Sequence, residues 1–112
     1  MINLPVDEAY AFDYLSILHL KKNINEQVES SWRECFDCIK NQIGESMMQE
    51  IVNSKEYHGM IKANQITFDA VEKARYGEIT AKEVDKANML RYERKCELQK
   101  KFFNSNIKEI KT

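Results

Sequence analysis

Residues that break regular structure are nearly missing from this chain: one proline, Pro5, and three glycines stand among 112 residues. A chain so poor in turn formers has few places to reverse, which fits a few long helices better than many short strands. The apolar spacing agrees. Val28, Trp32, Cys35, Phe36, Ile39 and Ile43 recur at steps of three and four, the period of one helix face. The sequence therefore predicts an all-α fold in a single domain over 1–112. It is a small antiparallel bundle of four helices, or five if 46–53 forms one of its own.

Local signals place the helix ends. Pro5 opens the first helix, with Asp7 and Glu8 complementing the dipole of its first turn, and the helix runs to Lys22. Asn25 caps the second, which stops at Gly44. Ser54 caps the third, and Gly77 ends it. Thr80 and Glu83 have capping-box spacing, flanked by Ile79 and Val84 as a hydrophobic staple, so the fourth helix runs from there to Phe103. The polar residues 104–112 are expected to fray.

The first helix is apolar on all sides. On a helical wheel Tyr10, Phe12, Tyr14, Leu15, Ile17 and Leu18 cover nearly the full circle. Such a helix has to be covered all round, and four helices from so short a chain leave that cover incomplete. A homodimer with the first helix in or beside its interface is therefore expected. The one polar seam on this helix, Asp13, Ser16, His19 and Asn23, is expected to face water or another chain.

Composition narrows the function classes. No apolar run reaches the 18 uncharged residues of a membrane span, and the acidic start lacks the basic region of a signal peptide. Three cysteines, an odd number, suit reduced thiols and a cytoplasmic location. Residues 1–81 carry 8 basic and 13 acidic side chains; residues 82–112 carry 9 and 5. The basic residues of the last helix are interleaved with Glu93 and Glu97, as on a solvated face, so nucleic-acid binding is not expected.

Cys35 and Cys38 form a C-x-x-C pair, but in mid-helix and beside Glu34 and Asp37, where a thiolate is disfavoured. The pair reads as small apolar residues on or beside a buried face, with no metal or other cofactor. Glu26 with Glu29, and Glu34 with Asp37, lie on the side away from Trp32 and Ile39, whereas metal carboxylates in bundles project inward. No set of residues converges on catalysis.

One polar group stands out. Asn64 sits on the apolar face of the third helix, and Asn88, Arg91 and Lys95 run between the two apolar edges of the fourth. Polar groups at core positions cost free energy unless they are paired. Either Asn64, Asn88 and Arg91 form a buried network that fixes helix register or dimer pairing, with Asp13 or Glu72 as the acid that pairs with Arg91, or with Lys95 they line a cleft for an anionic ligand, with Arg91 as its fork. The function expected from the whole sequence is a non-enzymatic interaction or regulatory module; a ligand-binding or enzymatic bundle built on that cluster is the alternative.

Overall fold

The computed structural model describes Ile2 and residues 5–107. Five helices follow one another: α1 Glu8–Lys21, α2 Glu26–Ile43, α3 Glu45–Val52, α4 Lys55–Arg75 and α5 Ala81–Phe103. Among the described residues there is no strand, so the fold is the all-α bundle, and the short segment after Gly44 is a helix of its own. None of these helices is long and apolar enough to cross a membrane.

The ends show which local signals operate. Asn25 Oδ1 accepts the Val28 N–H at 2.9 Å, and Ser54 Oγ accepts the Tyr57 N–H at 3.1 Å. Gly44, with φ of 92°, turns α2 directly into α3, a backbone conformation that side chains with a Cβ rarely adopt. Two ends differ from expectation. The Thr80 side chain makes no cap bond; the first turn of α5 is held by its carbonyl, which accepts from Glu83 N–H at 3.1 Å. Helix α1 starts at Glu8, three residues after Pro5, and Asp7 at its N-cap position makes no side-chain cap bond. The side chain of Gln99, on the far side of the sequence, accepts the Ala9 N–H at 2.8 Å instead.

Helices α4 and α5 pack as an antiparallel hairpin. Thr67 Oγ reaches the Ala87 carbonyl at 3.3 Å, and a Cβ on Gly59 would meet Arg94, so residue numbers across the hairpin sum to about 155. Helix α1 lies along both and also against α2, while α3 joins α2 to α4. The core lies where these meet: Phe12 and Leu15 of α1, Ile39 of α2, Met48 and Ile51 of α3, Tyr57 and Met60 of α4, and Leu98 of α5. Phe12 meets Tyr57 edge-on with ring centroids 6.1 Å apart.

Three helices of the same chain thus cover most of α1. Tyr14, 56% exposed, marks the edge left open. The cover that the sequence sought in a second copy is supplied within the chain because α1 sits in the groove of the hairpin and not at its side. Asp13 and Ser16, expected to face water or another chain, are buried in that groove. At the other end Asn104 takes a left-handed conformation, Gln99 Nε2 donates to Ser105 Oγ at 2.9 Å, and Ile107 packs on the core. The rest of the tail expected to fray, 108–112, lies outside the described residues.

The two N-caps make opposite predictions. Asn25→Ala should cost about 1 kcal/mol, the usual worth of a working cap, and Thr80→Ala only about 0.3 kcal/mol. Urea unfolding followed by circular dichroism measures both.

Candidate functional site

The polar cluster assembles around Asp13, a carboxylate on the inner face of α1. Arg91 Nη2 of α5 donates to Asp13 Oδ2 at 3.0 Å. Asn64 Nδ2 of α4 donates to Asp13 Oδ1 at 2.9 Å and to Ser16 Oγ at 2.6 Å. Ser16 Oγ in turn donates to the Asp13 carbonyl, one turn back. One carboxylate therefore ties three helices together. Asn64 and Ser16 are fully buried, while the Arg91 and Asp13 side chains keep 24% and 12% exposure.

Of the four residues singled out in the sequence, Asn64 and Arg91 come together on the same carboxylate. Asn88 is exposed on the outside of α5, and Lys95 holds its ammonium 4.8 Å from the centroid of the Tyr10 ring. Of the two acids that the sequence offered Arg91, Asp13 and Glu72, the structure pairs it with Asp13; sequence reasoning missed that Ser16 belongs to this centre. The signal was present: Asp13 and Ser16 are spaced three apart and flanked on the wheel by Ala9, Phe12 and Leu20. Gln99, also fully buried, links Ala9 to Glu8, whose Oε1 accepts from its Nε2 at 3.0 Å. Nothing in its sequence neighbourhood announces that role.

The chemistry of the centre is that of a structural joint. Ser16 gives its proton to a backbone carbonyl, so no base activates it, and the Asp13 oxygens are occupied by Asn64 and Arg91. Arg91 spends its charge inside the fold. Two polar atoms, Asn64 Oδ1 and Arg91 Nε, are buried without a hydrogen-bond partner. Breaking such a pair from one side strands a charge in the interior, which usually costs more than the intact pair contributes.

The acidic pairs of α2 serve surface ion pairs, Glu29 with Arg33 at 2.8 Å and Asp37 with Lys40 at 3.6 Å. All three cysteines are free thiols. Cys35 is half-buried, and its thiol is pushed up to about 11, first by burial and then by the neighbouring Cys38. Among the described residues no three His, Cys, Asp or Glu side chains form a metal cluster. Comparison of the chain with protein families, with curated proteins and with solved structures found no match.

Two measurements check this centre. Arg91→Ala should lose about 2 kcal/mol of unfolding free energy, reduced from the fully buried case by the partial exposure of the pair, and Asn88→Ala less than about 0.5 kcal/mol. Alkylation by iodoacetamide at about pH 8, followed by peptide mass spectrometry, should modify exposed Cys38 at least about tenfold faster than Cys35.

Proposed function

We propose that this protein is a non-enzymatic interaction module that works as a homodimer, pairing through the outer face of the α4–α5 hairpin. The observation that carries this reading is a groove on the side of the hairpin away from α1. Its two adjoining parts hold about 450 and 600 Å³ and share Ile66 and Leu90. Gly59, Ala63, Ala70 and Ala87 give it a low floor, and Ile66 is one of the large apolar side chains left exposed. Small residues flanked by aliphatic ones form the kind of surface into which another helix packs.

The charges on the rim favour a second copy as the occupant. Asp69 and Lys73 stand on the α4 rim, Lys86 and Glu83 on the α5 rim. With residue numbers summing to about 155 across the hairpin, Lys73 is level with Glu83 and Asp69 with Lys86. A two-fold axis along the hairpin preserves these levels and lays α4 of one copy over α5 of the other. Each lysine then meets a carboxylate of its partner, and the four helices close an antiparallel bundle. Helices about 30 Å long and 10 Å wide, two to a side, offer about 600 Å² per copy, near the lower end for a specific interface.

Light scattering on a sizing column at about 100 µM should give twice the 13.2 kDa chain mass. Ile66→Glu should give a monomer that keeps the helical circular-dichroism spectrum and whose melting temperature, unlike that of the wild type, does not rise with concentration. Lys73→Glu and Glu83→Lys should each be monomeric alone and pair when mixed, since the mixture alone brings opposite charges together in trans. A monomeric wild type overturns the proposal. So does a dimer lost with Tyr14→Glu and kept with Ile66→Glu, which would place the contact on the open edge of α1.

A further inference from the structure

Helix α2 packs chiefly on α1 and α3, and Ile39, near its far end, is its one buried residue. Its first half rests on α1 through Trp32, which is only partly buried. Two α1-side groups lie against that indole. The His19 ring is 6.4 Å from it, and the Lys22 ammonium is 4.5 Å from its centroid. Behind them a cavity of about 200 Å³ reaches Val52 of α3 and Tyr57, His58 and Ile61 of α4. Close packing is therefore incomplete along this seam, and a segment with few buried contacts opens at a lower free energy than the core does.

The charges at the seam do not balance. Beside His19, α1 contributes the cation of Lys22, and α4 contributes His58 and Tyr57, whose phenol is pushed up, first by burial, and carries no charge. Helices α2 and α3 bring only Trp32, Phe36 and Val52 to the cavity, so no carboxylate lines it. Acids one turn or less away are engaged elsewhere, Glu29 with Arg33 and Glu56 with Lys101. Nor does the indole shelter a second cation, because Lys22 already lies against it. His19 is accordingly held below its ordinary 6.5, by burial first, then by Lys22, then by His58. The closed seam thus takes up a proton less readily than an opened one. The stability it owes to neutral His19 is complete above about pH 6.5 and is lost as the pH falls towards the depressed value.

We infer that this seam is an acid-sensitive latch: protonation of His19 beside Lys22 loosens the first half of α2 from α1 and uncovers Trp32 and Phe36. Asp13 keeps α1 in the hairpin groove meanwhile, and Ile39 keeps the other end of α2 on the core. Under acid the chain then presents an aromatic surface that it conceals at neutral pH. The latch lies apart from the proposed dimer face, and neither inference depends on the other.

Trp32 is the one tryptophan of the chain, so its fluorescence reports the latch. Between about pH 8 and about pH 5 its emission should move to the red and its quenching by acrylamide should rise at least about twofold, centred below about pH 6.5, while the helical circular-dichroism signal stays nearly constant. His19→Gln keeps a polar side chain that takes up no proton and should stay closed throughout. His58→Glu, at an exposed position, supplies the missing carboxylate and should also keep the latch shut. A wild-type emission unmoved by acid overturns the inference, as does a red shift that comes only with loss of helix. Opening of folded His19→Gln or His58→Glu to the wild-type extent overturns it as well.

Discussion

The Asp13 carboxylate reaches α4 through Asn64 and α5 through Arg91, and that three-way joint holds α1 in one register in the groove of the hairpin. Without it α1 is a nearly featureless apolar cylinder that could rotate or slide in the hairpin groove at little cost, because its large side chains point in all directions. A buried carboxylate removes that freedom. In the observed orientation its two oxygens meet donors on two different helices, and a rotation that kept the carboxylate in the interior away from Asn64 and Arg91 would leave it without a partner, at a cost of several kcal/mol. The joint thus contributes register more than stability.

Once α1 is oriented, the remainder assembles around it. Phe12 and Leu15 turn towards α3 and α4, and Ala9 comes within reach of Gln99, which completes the first turn of α1 in place of a local cap. Gln99 also holds Ser105, so the N-terminal end of α1 and the chain after α5 are secured by one side chain. Two ends of the sequence depend on a residue that belongs to neither. The same docking leaves the opposite face of the hairpin without a helix of its own, and the proposed dimer stands on that face.

How much of this was legible depended on how local each cause is. The helices, their stops at Gly44 and Gly77 and the caps at Asn25 and Ser54 follow from steric preference and from hydrogen bonds within four residues, so neighbouring letters suffice. The inward stripe of α2, buried at Ile39 and partly buried at Trp32, Cys35, Phe36 and Ile43, followed from periodicity, and with it the reading of Cys35 and Cys38 as a matter of helix orientation. The Thr80 capping box shows the limit even there: the right residues at the right spacing do not form the side-chain bond. At the candidate centre, Asn64 and Arg91 were conspicuous because each interrupts an apolar face. Asp13 was legible only as one of two acids that could pair with Arg91, and Ser16 not at all, because a polar residue on an otherwise apolar helix looks the same whether it faces water or a buried asparagine.

The sequence by itself determined an all-helical chain, nearly all the points where the helices begin and end, and which faces of α2 and α4 turn inward, since these depend on backbone sterics and on a period of 3.6 residues. Only the tertiary structure decided which groups meet. It joined Asp13 to residues 51 and 78 positions away, put Gln99 at the start of α1, and supplied from within one chain the cover that α1 needs. Such pairings depend on how whole helices dock, and the free energy that selects among dockings comes from burying apolar surface while leaving few polar atoms unpaired. That balance is a property of the assembled interior, so no single stretch of the sequence records it.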